Sequence, residues 1–301
     1  MSIANKSNSY DQMAVDINSL FSKRISPFGK EFPGYFRRLF NRYLSAVLIV
    51  TGLYDRLVDA GFIRNWFEEF RDYWLTELKG RPLYLHDFYY LLGVYRQRYQ
   101  MVETIEGAEK KGFLESWQNS NTLYQLFGAV RRYAYQPLHC YKFEKWIKHG
   151  DSVLEYGCGV APVAHSLLYY GTKRNLDITI ADIRQINSHY AKWRLGKRVK
   201  FLEIEPFENP FTRERFDAAF MVTVMEHLPD PLATVENITA SLRSGGIFIF
   251  DYILGDGDGL DTVEAVQQRG QILEYIAKNY DLLTGELTEK KSMGTTVCKR
   301  K

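Results

Sequence analysis

Cysteine is scarce in this chain, with three residues among 301. Cys140, Cys158 and Cys298 form no disulfide framework and no metal-ligand spacing, so no metal is expected. An odd, sparse count suits a reducing compartment, and a cytoplasmic location is expected. Proline is scarce too, at nine residues. Neither an internal repeat nor a low-complexity linker divides the chain. Long apolar runs are missing. The most apolar window, Tyr43–Tyr54, is about half the length needed to span a bilayer. Arg42, Asp55 and Arg56 close it off, so it reads as a buried helix and no membrane span is expected. The opening stretch MSIANKSNSYDQ has neither the charged nor the apolar region of a signal peptide. A strong charge excess is also missing, and a net charge of +3 is too mild to imply nucleic acid.

That small charge is unevenly spread. Up to Gly150 there are 21 basic and 15 acidic side chains, and beyond it 18 and 21. A basic first half could serve an acidic substrate or a phosphate, but scattered surface lysines explain it more simply.

What the chain has in plenty is aromatic side chains, and 30 of the 45 lie before Asp151. This half is helical in pattern. Apolar residues recur at three and four spacing over Phe36–Phe62, Ile63–Gly80, Asp87–Gly112 and Ser120–Gly150, with glycines at or near the stops. Tyr89, Tyr95 and Tyr99 belong to a run dense enough to cover more than one helix face. Most such rings pack a helical domain. Some could instead line an apolar pocket, where a flat ring with one polar end suits an aromatic or lipid-like ligand.

From Asp151 onward, strands and helices alternate. Strands are expected at Ser152–Tyr156, Asp177–Ala181, Val199–Glu203, Asp217–Thr223 and Ile247–Tyr252. Helices are expected near Pro162–Tyr170, Arg184–Trp193, Leu232–Leu242 and Val263–Asn279, and the end reads as a hairpin. This order implies an α/β fold, a doubly wound and mostly parallel sheet with helices on both faces. The expected domains are residues 1–148, helical, and 149–301, built on the sheet.

The segment VLEYGCGVAP (Val153–Pro162) is the most informative. An apolar strand ends in an acid, Glu155. Gly157 and Gly159 follow, and Pro162 sits where a helix begins, at a position where its missing N–H costs nothing. Glycines let a ligand approach the backbone, and the helix N-terminus offers free N–H groups. Asp182 ends the next strand 23 positions after Gly159, about the distance at which an acid takes ribose hydroxyls. A nicotinamide site fits less well, because Pro162 replaces the last glycine of G-x-G-x-x-G.

Glu155-Tyr156-Gly157-Cys158-Gly159, Asp182, Phe216-Asp217, Glu226-His227-Leu228-Pro229-Asp230 and Gly245-Gly246 occur in the order found in class I S-adenosylmethionine-dependent methyltransferases. The chain resembles that family over roughly Asp151–Lys301. It is most similar to small-molecule members with a Glu-His loop after the fourth strand. The resemblance implies a seven-stranded Rossmann-like sheet and S-adenosyl-L-methionine as cofactor. The turn Glu155, Tyr156, Gly157, Cys158, Gly159 would hold its methionine part. Asp182 would accept the ribose hydroxyls, and Ile183 would pack on adenine. Glu205 and Pro206 would meet the adenine amino group, with Glu203 a rival. Val222 and Thr223 would floor the site. His227 could be a general base, since imidazole titrates near neutrality, or could only shape the wall.

The partner implied is a small-molecule acceptor, aromatic or lipid-like, taking a methyl on oxygen or nitrogen. Residues 1–148 would then form its lid, with Tyr89, Tyr95 and Tyr99 against the substrate. The rival is a module that binds S-adenosylmethionine or its product without turnover, its helices engaging a protein.

Overall fold

The computed structural model describes residues 43, 47, 50–53, 56, 66–85, 87–92, 123–134 and 141–301, the last span apart from 170, 174, 206, 207, 214, 254–260, 290 and 291. The chain divides into two compact units, Met1–Pro137 and Leu138–Lys301. Much of the helical stretches expected over Phe36–Phe62 and Asp87–Gly112 lies outside the described residues, as do Tyr95, Tyr99 and Pro206.

In the first unit, α1 (Trp66–Thr76) and α2 (Leu123–Ala134) are the described helices with defined ends, and residues 87–92 are helical. Their aromatic rings form the core. Phe70, Trp74 and Phe88 are fully buried. The Phe88 ring lies 5.2 Å from that of Phe70 and 4.7 Å from that of Phe127. The first pair meets edge to face, a geometry the ring quadrupole favours. Beyond α1, Lys79 takes a positive φ of 52°. Gly80 then lies so close to the Trp74 indole that a Cβ there would fall 2.1 Å from Nε1. That nitrogen donates to the Arg81 carbonyl at 2.9 Å. Tyr89 is 41% exposed, with Arg131 of α2 5.7 Å from its ring centre.

The second unit is a seven-stranded sheet of order β3-β2-β1-β4-β5-β7-β6. Its strands are β1 (Ser152–Tyr156), β2 (Asp177–Asp182), β3 (Lys200–Glu203), β4 (Phe216–Met221), β5 (Leu242–Tyr252), β6 (Tyr280–Thr284) and β7 (Met293–Arg300). The first five pair in parallel, and β7 runs antiparallel between β5 and β6. The central strands are buried on both faces, and in β1 the residues from Val153 to Tyr156 are buried, Glu155 among them. One face packs on Phe143, α3 (Pro162–Tyr169) and α4 (Ile186–Leu195). The other packs on α5 (Pro231–Ser241), α6 (Val263–Gln267) and α7 (Arg269–Asn279). Asp230 caps α5, accepting from the Ala233 amide at 3.2 Å ahead of Pro231.

Three expectations shift in detail. The strand expected at Asp217–Thr223 ends at Met221, because Thr223 turns to a φ of 58°. The helix expected at Val263–Asn279 is two helices, divided at Gln268, whose side chain accepts from the Leu232 amide of α5. The Gly-Gly turn lies inside β5, where the register with β4 slips between Phe216–Leu242 and Ala218–Ile247. Gly246 has no room for a side chain, since a Cβ would meet the Arg243 carbonyl oxygen at 2.8 Å.

The first unit depends on its ring cluster. Phe88→Ala should cost about 3–5 kcal/mol, the usual range for emptying a buried phenylalanine site. Chemical denaturation of the full chain, followed by tryptophan emission from Trp66 and Trp74, measures it.

Candidate cofactor and active site

The described candidate site residues of the second unit lie at the carboxyl ends of β1, β2, β3 and β4 or in the loops that follow. In open α/β sheets, ligands bind at that edge. The turn after β1 is held by its neighbour strand. The Gly157 and Cys158 amides both donate to the Ala181 carbonyl, at 2.8 and 3.2 Å. The Gly159 amide donates to Asp182 Oδ2 at 2.7 Å. Gly157 and Gly159 have φ of 64° and 51°, a region that costs other residues about 1–2 kcal/mol. Their surroundings differ. A Cβ on Gly157 would fall 2.5 Å from Val224 Cγ2, whereas one on Gly159 would meet nothing within 4 Å. The turn is thus closed by Val224 on one side and open at Gly159. Ala161 takes a φ of 53° without glycine's freedom.

Glu155 is buried and its two oxygens serve the helix that follows. Oε1 accepts from the Val163 amide at 3.1 Å and Oε2 from Ala164 at 2.7 Å. It therefore caps α3, satisfying N–H groups that have no partner within the helix. Burial pushes its carboxyl up to about 8, against the pull of those two amides. The Tyr156 ring lies in the core, 6.4 Å from that of Phe211, and its hydroxyl is bonded to Thr234. Burial pushes that phenol up to about 12. Cys158 packs in the opposite core face, its thiol pushed well up by burial. The side chains of these three residues therefore hold the turn in place.

Asp182 is 5% exposed. Burial raises its carboxyl to about 6, and donors from Gly159, Gln185, the Ile183 amide and Cys158 restrain the rise. Gln185, at the start of α4, reaches Asp182 Oδ1 through Nε2 at 2.8 Å. Ile183 is half-buried, while Glu205 and its rival Glu203 are exposed. Glu205 is engaged with its own loop, its amide meeting Glu208 Oε2 at 3.1 Å.

After β4, Val222 and Thr223 are half-buried. The Thr223 amide donates to Asp251 Oδ1 at 2.5 Å, pinning the loop to the end of β5. Glu226 is 2% exposed and its Oε2 has no partner. Burial raises it to about 8, helped by the nearby charges of Asp251 and Asp261 and opposed by Arg269. His227 Nε2 stands 3.9 Å from Glu226 Oε1, with the imidazole 22% exposed. The Thr262 amide holds the Glu226 carbonyl at 2.9 Å. Behind them the Arg269 guanidinium lies 4.3 Å from the Tyr252 ring centre and donates to the Tyr252 and Thr288 carbonyls.

Gln185, Val224, Asp251 and Arg269 are the residues that the sequence pattern did not single out. Asp251 alone carried a signal, as an acid near the end of an apolar strand at the sheet's ligand edge. No group of His, Cys, Asp and Glu able to hold a metal occurs among the described residues. No described helix is long and apolar enough to cross a membrane.

Residues 127–284, more than half of the chain, match the family model described as a methyltransferase domain. The chain is similar to a sterol 24-C-methyltransferase of Gibberella zeae, 26% identical over 121 residues, or 39% of this chain and 32% of that protein. It is also similar to a ubiquinone biosynthesis O-methyltransferase of Actinobacillus pleuropneumoniae, 28% identical over 108 residues, or 35% of this chain and 46% of that one. A tRNA U34 carboxymethyltransferase of Alteromonas mediterranea is 26% identical over 129 residues, or 41% and 39% of the two chains. The chain thus spans a third to a half of the length of these curated relatives. Among solved structures it is similar to a SAM-dependent methyltransferase from Aquifex aeolicus. The identity there is 18% and the TM-score 0.42, over 55% of this chain and 89% of that one.

The three raised carboxyls set a pH dependence. A folded pKa above the unfolded value means that the folded chain binds more protons than the unfolded one across the interval between them. Stability then falls as pH rises through that interval. For Glu155 and Glu226 the interval runs from 4.5 to about 8. Unfolding free energy should fall between pH 5 and pH 8, and Glu226→Gln should reduce that fall by roughly 1–3 kcal/mol. Urea titrations of both proteins at the two pH values measure the difference.

Proposed function

We propose, for a chain that belongs to the class I S-adenosylmethionine-dependent methyltransferases, that it transfers a methyl group to the oxygen or nitrogen of a small-molecule acceptor. The observation that carries the reading is the Gly157–Gly159 turn, tied to Asp182 and open at Gly159. The fit to the cofactor is supported by that open side, where a Cβ on Gly159 would meet nothing within 4 Å.

When bound, the cofactor supplies an electrophilic methyl on a positively charged sulfur. Gly157, Cys158 and Gly159 would line its methionine part with backbone, while Glu155 keeps the turn and α3 in register. Asp182 would accept from the ribose, Ile183 would flank adenine, and Glu205 with Pro206 would meet the adenine edge. Val222 and Thr223 would form the floor, held by Asp251. The His227 imidazole would take the proton of an acceptor hydroxyl or amine as the nucleophile forms its new bond. In-line displacement needs little else than alignment and the exclusion of water.

Residues 149–301 are assigned to the cofactor and residues 1–148 to acceptor choice, with Tyr89, Tyr95 and Tyr99 as the substrate-facing candidates. Two of the curated relatives are named for sterol methylation and ubiquinone biosynthesis. Those names favour a small apolar acceptor, aromatic or lipid-like, over the tRNA named by a third.

Calorimetry with S-adenosylmethionine, S-adenosylhomocysteine and NAD tests the first half. The two sulfur ligands should bind and NAD should not, and tight NAD binding alone would overturn the reading. Asp182→Ala should weaken S-adenosylhomocysteine by about tenfold or more, the worth of charge-assisted hydrogen bonds. His227→Gln should leave that affinity unchanged while lowering kcat by roughly 10²–10⁴ on an acceptor that must lose a proton. An unchanged kcat would reduce His227 to a wall residue.

A further inference from the structure

His227 ends a single helical turn, Met225–His227. Two bonds close that turn from within. The His227 amide donates to the Val224 carbonyl at 2.9 Å, and the Leu228 amide to the Met225 carbonyl at 3.3 Å. Two more come from one residue far along the chain, Thr262. Its amide donates to the Glu226 carbonyl at 2.9 Å, and its hydroxyl to the Leu228 carbonyl at 2.6 Å. The peptide group between Glu226 and His227 is thus held at both ends, by Val224 and by Thr262. The peptide group after Leu228 is held by the Thr262 hydroxyl. Each residue has only two soft backbone dihedrals. Fixing the planes before His227 and after Leu228 therefore fixes the direction in which the His227 side chain leaves the backbone.

Thr262 is itself anchored. Its Oγ1 accepts from the Ala265 amide at 3.1 Å, as the N-cap of α6. Ala265 is fully buried, and its carbonyl receives the Tyr252 hydroxyl from the end of β5. On the other side stands Val224, whose side chain leaves no room for a Cβ on Gly157. The His227 backbone is thus referred to the glycine turn through Val224 and to β5 through Thr262. A cap needs only an oxygen that accepts, which serine, threonine, aspartate and asparagine all supply. The bond to Leu228 needs that same oxygen to donate as well, so capping alone does not account for it.

We propose that Thr262 is a positioning residue for His227: its amide and hydroxyl hold the carbonyls of Glu226 and Leu228 and so set the line along which the imidazole meets the acceptor. The proposal rests on the reading of His227 as the base that takes the acceptor's proton. Such a base must come within about 2.6–3.2 Å of the group it deprotonates. A displacement of about 1 Å can lower the rate on the order of a hundredfold.

Three substitutions separate the bonds. Thr262→Ser keeps both the cap and the bond to Leu228. Thr262→Asp keeps the cap, but an ionised carboxylate cannot donate to Leu228. Thr262→Val keeps the shape and loses both. The experiment is ¹⁵N and ¹³C relaxation of the His227 amide and ring in the full chain, with melting temperature and calorimetric S-adenosylhomocysteine binding measured beside it. Wild type and Thr262→Ser should hold His227 rigid, with an order parameter of about 0.85. Thr262→Asp and Thr262→Val should let it fall toward about 0.6 while S-adenosylhomocysteine binds as before. Where His227→Gln lowers kcat, Thr262→Val should lower it about tenfold, and not further when the two are combined. A His227 that stays rigid in Thr262→Asp would reduce Thr262 to a cap and overturn the positioning role, leaving the base intact. A Thr262→Val effect that adds in full to that of His227→Gln would do the same. Loosening in Thr262→Ser would remove the hydroxyl as the cause. A full kcat in His227→Gln would overturn the base itself, and the purpose assigned to Thr262 with it. Should Thr262→Asp fail to fold, rigidity of His227 in Thr262→Val decides against the proposal in its place.

Discussion

The bond between the Gly159 amide and Asp182 Oδ2, 2.7 Å long, joins the turn after β1 to the end of β2. The site depends on this tie. The Ala181 carbonyl takes the two preceding amides, so three successive residues of the turn are bound to two successive residues of the next strand. Such a turn has no freedom to sag into the space that a ligand needs. Its position in turn fixes the start of α3, where Glu155 receives the first free amides. One acid at the end of each of two neighbouring strands thus organises strand, turn and helix together. The cost is that both acids are buried, and burial is the largest cause of the rise in their carboxyls, with the charge of Asp182 adding to it at Glu155.

The loop after β4 is built on the same plan. Asp251 at the end of β5 holds the Thr223 amide, as Asp182 holds that of Gly159. Thr223 takes a left-handed backbone that a β-branched residue adopts only under constraint. Two edges of the candidate site are thus set by carboxylates reaching across from a neighbouring strand. In the remaining polar cluster, Glu226, Asp261 and Arg269 with Tyr252, the Arg269 guanidinium partly offsets the carboxyls around it. Burial is the main cause of the raised Glu226 carboxyl, with Asp251 and Asp261 adding to it.

The sheet was legible because its strands obey simple rules. Ser152–Tyr156 is the strand expected, since a short apolar run between a turn and glycines fits only a buried parallel strand. The strand expected at Asp177–Ala181, one residue short of the observed end, and the final hairpin followed from the same alternation. The break at Gln268 was not legible, because Val263 to Asn279 keeps helical spacing and Gln268 itself keeps helical backbone bonds to Glu264 and from Ile272. The slip within β5 depends on a partner strand. In the site, Asp182 and the two glycines announced themselves by type and spacing. Glu155 gave no hint that it would cap a helix, nor Tyr156 that its ring would turn into the core. Gln185 gave none either, since a glutamine at a helix start is common, and only the proximity of Asp182 gives it significance.

The placement of β7 bears on how the chain is made. This strand follows β6 in sequence, yet it lies between β5 and β6. During synthesis, β5 therefore waits with an open backbone edge while α6, α7 and β6 emerge, and β6 has nothing to pair with until β7 arrives. Open edges of apolar strands are templates for pairing with other chains, and Phe248 and Phe250 lie on this one. A nascent chain of this topology is most exposed to aggregation just before its last strand is added, so slow translation over that stretch would carry a penalty that the finished fold does not reveal.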